Sequence, residues 1–409
     1  MISEMRLRIS TGFILIFILF LAGGIFEPQS AKANDYSFSD TASVAKIPFD
    51  LYFNLIFLQV KVDTSGPLWF MLDSGFEGSV INSTTADKLG LKISGQHQEN
   101  APGGELDVAY IDSLAFHLPG VDIMGQRVMA IPLDPLQPIL GRRIDGILGH
   151  DYFNRFIIEI DYANEIITLS DPKTFTYSGS DTAVPILIEN NEPFLYAYLE
   201  SESHPPVKAK LKIDTGSADA LGLNGSFIKA ENLIEPDEKK IPAPGAAVGG
   251  YTKNYIARLK SMKVGNIIVE NPVIGYSEDT THAGDAGTIG GELFRRFKMT
   301  FDYSRQKIYI EKNAAFFELY EYDMSGIFPI ATGPDFKIIQ IQSVAENSPA
   351  SDAGLKPDDL IKTVDDKPAA NYSIAEIRKM FKIDGKSIEL GIERDGKPFE
   401  AKLKLRRLI

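Results

Sequence analysis

Phe70-Met71-Leu72-Asp73-Ser74-Gly75 and Lys212-Ile213-Asp214-Thr215-Gly216-Ser217 share an Asp-hydroxyl-Gly centre, and their aspartates stand 141 residues apart. A single Asp-Ser/Thr-Gly is an ordinary turn signal. Here each copy is followed at the same distance by a second motif. Gly146-Ile147-Leu148-Gly149 answers Gly287-Thr288-Ile289-Gly290, again at an offset of 141, and in both halves 76 residues separate the aspartate from the closing glycine. The offset continues through Phe153/Phe294, Phe156/Phe297, Asp161/Asp302, Tyr162/Tyr303 and Ile167/Ile308. A period this long exceeds the roughly 20–50 residues of stacked solenoid repeats, so it reads as a duplicated domain.

Each half reads as strand-rich. Leu51 to Val62 and Leu68 to Leu72 are β-prone runs, and Val207, Ala209, Leu211 and Ile213 alternate with lysines up to Asp214. Each half closes on two short strands joined by an Asp-Tyr turn, Phe156 to Ile160 with Ile166 to Leu169 and Phe297 to Phe301 with Ile308 to Ile310. Short helices are expected over Ser83 to Gly90 and Ser226 to Glu231, and Asp171 to Asp181 reads as the connection between halves.

The two aspartates fit one chemistry. Two carboxyl groups about 3 Å apart cannot both ionise, so one keeps a proton and acts as acid while the other acts as base on a water between them. A duplicated chain with one aspartate per copy supplies such a pair at an approximate two-fold axis. Gly75 and Gly216 let the two loops approach, and the Ser74 and Thr215 hydroxyls can bond across the interface.

These motifs resemble those of the retropepsin-like and pepsin-like aspartic peptidases, over roughly residues 44 to 313. The resemblance implies that Asp73 and Asp214 are the catalytic pair, with Ser74, Gly75, Thr215 and Gly216 supporting their loops. It also implies that Ile147, Leu148, Gly149 and Thr288, Ile289, Gly290 thread behind them as a psi-shaped core. Glycine-containing hairpins at Pro102 to Tyr110 and Ala247 to Tyr255 are the candidate flaps over the cleft.

From Gly326 the pattern changes, with 14 basic against 13 acidic residues in the remainder. Ser348-Pro349-Ala350, Ala353-Gly354-Leu355 and Asp359-Leu360-Ile361, with a helix expected over Ser373 to Phe381, resemble the PDZ domains of bacterial envelope proteases. Such domains bind peptide ends by strand addition beside a helix. The resemblance places Gly333 and Phe336 at the carboxylate loop, Ile338 on the receiving strand and Ile374 on the helix wall. The closest likeness overall is to bacterial single-chain retropepsin-like proteins with an appended PDZ domain. The expected architecture is mainly β: two pseudo-two-fold-related acid-protease β-barrel-like lobes plus a small α+β PDZ domain. The expected boundaries are a signal peptide 1–33, lobe 1 at 44–172, lobe 2 at 181–313 and the PDZ domain at 326–409. The compositional break also predicts that the last unit can be removed to leave a soluble two-lobe core.

Composition narrows the alternatives. The chain has no Cys, which excludes a thiol nucleophile, Cys-ligated metal and a disulfide framework. Its five His show no metal-ligand spacing, and no Gly-x-Ser-x-Gly elbow is present. No metal or cofactor is therefore expected. A net charge of −13, concentrated before residue 326, disfavours nucleic acid as a partner. Arg6 and Arg8, the apolar run Phe13 to Phe26 and the small-x-small site Ala31-Lys32-Ala33 read as a secretory leader. Cleavage would leave no membrane span, so the expected location is periplasmic or extracellular. The expected partners are peptide or protein substrates and a C-terminal peptide on the PDZ domain, with the chain monomeric because it carries both lobes. A binding protein of the same build without turnover is the rival reading, and the intact aspartate pair argues against it.

Overall fold

The structure is a computed structural model that describes residues 15–16, 35–39, 43–101, 104–179, 183–247, 250–277 and 284–409. Almost all of the expected leader therefore lies outside the described residues, as do Pro102-Gly103 and Val248-Gly249 in the two candidate flaps. Strand outweighs helix by 48% to 15%, so the class is mainly β.

The duplication visible in the sequence is carried into strand register. In the first lobe, Gly146–Leu148 runs parallel to Leu68–Leu72, pairing Gly146 with Phe70 and Leu148 with Leu72. In the second, Gly287–Ile289 runs parallel to Val207–Ile213, pairing Gly287 with Leu211 and Ile289 with Ile213. Both pairings are the same pairing displaced by 141. Each inner strand lies antiparallel to a third, Val80–Asn82 in lobe 1 and Leu221–Leu223 in lobe 2. Beyond these the order again matches, with Val121–Ile131 and Leu55–Val62 flanking the first trio and Val273–Ser277 and Glu192–Glu200 the second. Strands buried on both faces need continuous apolar runs, and Leu211, Ile213, Leu221, Ile289, Phe70, Ile147 and Leu148 are all at or near zero exposure.

A six-stranded sheet joins the lobes, in the order Ala183–Pro185, Lys307–Lys312, Phe297–Asp302, Ile157–Asp161, Ile166–Ser170, Val44–Pro48. Its central antiparallel pair sets Glu159 opposite Thr300. Those residues are one repeat offset apart, so the pseudo-two-fold axis passes between them. The neighbouring pairs obey it too, Ile160 with Ile167 and Phe301 with Ile308.

The helices expected after each first motif form at Ser83–Leu89 and Gly225–Glu231. Both candidate flaps are hairpins, Ile93–Ala101 with Gly104–Leu118 and Ile241–Ala247 with Gly250–Arg258. No helix among the described residues is long and apolar enough to cross a membrane.

The C-terminal unit is a sheet in the order Ile327–Thr332, Ile338–Val344, Leu360–Val364, Ser387–Arg394, Lys397–Lys404, with the helix Ile374–Met380. Ser373 and Glu376 close a capping box at the start of that helix. Met324 already belongs to this unit's core and donates its N–H to nothing in the lobes but to Phe381 O. The unit is not a bead on a linker. Phe328 packs into the same buried cluster as Phe57, Leu136, Ile139 and Leu140 of lobe 1.

Candidate active site

Asp73 and Asp214 follow immediately on Leu68–Leu72 and Val207–Ile213, each N–H donating 2.9 Å to the neighbouring psi strand, to Leu148 O and Ile289 O respectively. The strands therefore fix both backbones before any side chain is considered. Behind them the loops cross. Ser74 N–H donates to Thr215 Oγ1 at 2.9 Å, and Thr215 N–H donates to Ser74 Oγ at 3.0 Å. Each hydroxyl then donates onward into the opposite lobe, Ser74 Oγ to Ile213 O at 2.7 Å and Thr215 Oγ1 to Leu72 O at 2.9 Å. All four groups are fully buried, where hydrogen bonds are strong and a missing partner is costly.

The crossing brings each glycine against the other lobe's aspartate. A Cβ on Gly216 would lie 2.1 Å from Asp73 Oδ2, and one on Gly75 would lie 2.7 Å from Asp214 Cγ. No other residue fits either place. Gly75 N–H donates to Asp73 Oδ1 at 2.8 Å and Gly216 N–H to Asp214 Oδ1 at 3.0 Å. The inner oxygens are thus held by backbone, and Oδ2 of each aspartate is buried without a protein partner apart from the facing carboxyl. Burial, and then the charge of Asp214, push the Asp73 carboxyl well above the usual range. Burial also raises Asp214, against the opposing pull of the Lys212 ammonium and donors from Gly216 and Ser217.

The psi motifs close the site from behind. A Cβ on Gly149 would meet Gly78 O at 1.9 Å, and one on Gly290 would meet Asp219 O at 2.5 Å. The next residues repeat the pattern, with His150 N–H donating to Phe76 O at 2.9 Å and Gly291 N–H to Ser217 O at 2.7 Å. Ile147, Leu148, Thr288 and Ile289 are buried in the strands that carry this contact.

Three features of the site escaped the sequence reading. Lys212, nearly solvent-free, donates to Glu192 Oε1 at 2.9 Å and to Gly75 O at 3.4 Å, tying lobe 2 to the Asp73 loop. An alternating lysine on a strand looks like a solvated face, and only its neighbours show otherwise. Asn54, in a turn of lobe 1, donates Nδ2 to Ala218 O at 2.9 Å in the Asp214 loop. Ser217 has no hydroxyl counterpart in lobe 1, where Phe76 stands.

The expected peptide site on the C-terminal unit needs correction. A ligand strand can add only at a sheet edge. Ile338–Val344 is interior, pairing with Ile327–Thr332 on one side and Leu360–Val364 on the other. Gly333 and Phe336 belong to the turn that joins the first two strands, both with positive φ (81° and 54°). The edge strand beside the helix is instead Ile327–Thr332. Ile374 does sit beside it, at the start of the helix.

Residues 58–152 match the family model for the aspartyl protease domain, and residues 318–405 match that for the PDZ domain. No curated protein matches the sequence. Among solved structures, the crystal structure of Basic 7S globulin from soybean is similar at a TM-score of 0.42 and 12% identity, covering 66% of this chain and 95% of that one.

Proposed function

We propose that the chain is an exported aspartic endopeptidase that hydrolyses peptide bonds through the Asp73/Asp214 pair and a water held between them. One observation carries the reading: two buried carboxyls from duplicated loops, each with its inner oxygen held by backbone and its outer oxygen turned to the other. Of the two, Asp73 keeps the proton. Burial and then the charge of Asp214 push Asp73 up, whereas Lys212 opposes the rise of Asp214 more than any other group. Asp214 then takes a proton from the water as it attacks the scissile carbonyl. Asp73 gives its proton to the carbonyl oxygen, leaving a neutral gem-diol. Asp214 then passes its proton to the leaving nitrogen while Asp73 takes one back from a gem-diol hydroxyl, and the C–N bond breaks to acid and amine. The basic and apolar leader supports export to the periplasm or beyond.

Asp73→Asn and Asp214→Asn test this directly, because an amide neither accepts the water's proton nor splits the shared-proton pair. Each is expected to reduce turnover of a peptide library to under about one per cent with unchanged thermal unfolding. Either variant retaining a tenth or more of wild-type turnover would exclude the two-carboxyl mechanism.

A further inference from the structure

We propose that the peptide groove of the PDZ domain is closed in cis, its occupant being lobe 1 of the same chain, so that the domain clamps the second catalytic loop instead of standing open to the ends of other proteins. This assignment does not rest on the hydrolytic reading of the site.

The groove lies between the edge strand Ile327–Thr332 and the helix Ile374–Met380. Strand addition draws on the N–H and C=O groups along that edge, and the backbone pairing shows which ones face outward. Ile341 directs both of its groups away from the edge strand, donating to Asp359 O and accepting from Asp358 N–H, each at 2.8 Å. Pro329, opposite Ile341, must therefore turn its backbone outward. A proline has no N–H to offer there. Its carbonyl is already taken, accepting from Arg378 Nη2 at 2.8 Å. Pro329 thus offers an added strand neither donor nor acceptor, which leaves the outward groups of Ala331, two residues on, as the ones lobe 1 has to cover.

The space beside the edge is filled as well. Gly141 ends the lobe 1 helix Gln137–Leu140 in the left-handed conformation, φ 65°. A Cβ on it would meet Ile374 Cγ2 at 2.5 Å and Ala331 Cβ at 3.2 Å, which places this turn between the helix and the strand. Farther along, the Arg378 guanidinium stacks 4.4 Å over the Phe53 ring of lobe 1 and 4.6 Å over the Phe328 ring of the edge strand. Ala331 and Ile374 are fully buried in consequence. The residue after Phe53 is Asn54, whose side chain holds Ala218 O behind Asp214. One turn of lobe 1 therefore touches the groove on one side and the catalytic loop on the other.

The test uses the full chain with Asp73→Asn, so that peptide probes survive. The probe is a pool of fluorescent ten-residue peptides with free apolar C-termini, with the amidated pool as control. A Gly141→Leu wedge, which forces the groove apart, is expected to raise affinity for the free-carboxyl pool at least tenfold over the unwedged chain. Amide exchange across residues 327–332 should be slow in the unwedged chain and faster in the wedge. Equal affinity in both chains would overturn the proposal. The exchange measurement on the unwedged chain stands alone if the wedge does not fold: an edge strand exchanging as freely as a solvent-exposed strand also overturns it.

Discussion

Lys212 occupies in lobe 2 the position that Met71 holds in lobe 1, one repeat offset away. Its partner Glu192 is likewise buried and belongs to the strand that flanks Val207–Ile213. The pair costs desolvation but sets a cation close to two carboxyls, and Lys212 pulls the Asp214 carboxyl down against the rise that burial imposes. Removing Lys212 alone strands Glu192 in the interior and should cost about 3–5 kcal/mol. Replacing both, as Lys212→Met with Glu192→Leu, keeps the interior apolar and isolates the electrostatic effect. Without the cation both carboxyls bind protons more tightly, so the whole bell of kcat/KM against pH should move to higher pH. An unmoved bell would reduce the pair to packing. His150 offers a second test at this scale. Burial, only partly offset by a hydrogen bond to the Asn191 backbone, lowers it to about 4. A depressed His keeps its unfolded form the better proton acceptor, so stability is complete above pH 6.5 and falls as the pH drops toward 4, by about 3 kcal/mol. His150→Asn should flatten that stretch of the stability curve measured by denaturant unfolding. A slope unchanged from wild type would show that other groups drive the acid loss.

The crossed loops act as one element, because neither Ser74 nor Thr215 can be satisfied without the other lobe. Thr215→Val keeps the shape but removes a hydroxyl that accepts from Ser74 N–H and donates to Leu72 O. Two buried groups are then left without partners, for a loss of about 2–6 kcal/mol at about 1–3 each. Turnover should fall with it, since the loops that space the carboxyls are joined there. Thr215→Ser, which restores both bonds, is expected to recover stability and turnover together. Failure of the serine to rescue would mean the methyl group's packing matters more than the bonds. The element-level duplication also explains why Gly75 and Gly216 admit no side chain: each lobe's turn is the wall of the other lobe's carboxyl.

At the scale of the whole molecule, the C-terminal unit is a third body packed on lobe 1. The break in composition at Gly326 predicts a removable module, whereas Phe328 is buried with Ile139 and Leu140 and Arg378 stacks on Phe53. Ending the chain before residue 318 would expose that apolar cluster and release the Tyr52–Asn54 turn that holds Ala218. The truncated chain should therefore melt several degrees lower, associate at micromolar concentration, and lose turnover even on short unstructured peptides. Unchanged melting and unchanged turnover on short peptides would show the three bodies to be independent.

The duplication, the two aspartates, the psi motifs and the likeness of the last unit to PDZ domains were legible in the residues themselves. Each depends on short-range rules, such as a glycine where backbones nearly touch, or on an offset that repeats without reference to folding. Even the salt bridges Asp151–Arg155 and Glu292–Arg296 stand one offset apart. What only the tertiary structure decided concerns partners distant in sequence. A lysine in an alternating strand reads as solvated until Glu192 and Gly75 O are seen to enclose it. A strand such as Ile338–Val344 looks available until both of its sides are seen to be paired. The peptide groove reads as open until Gly141 is found inside it, because burial and sheet edges belong to the packed chain and not to any segment of it.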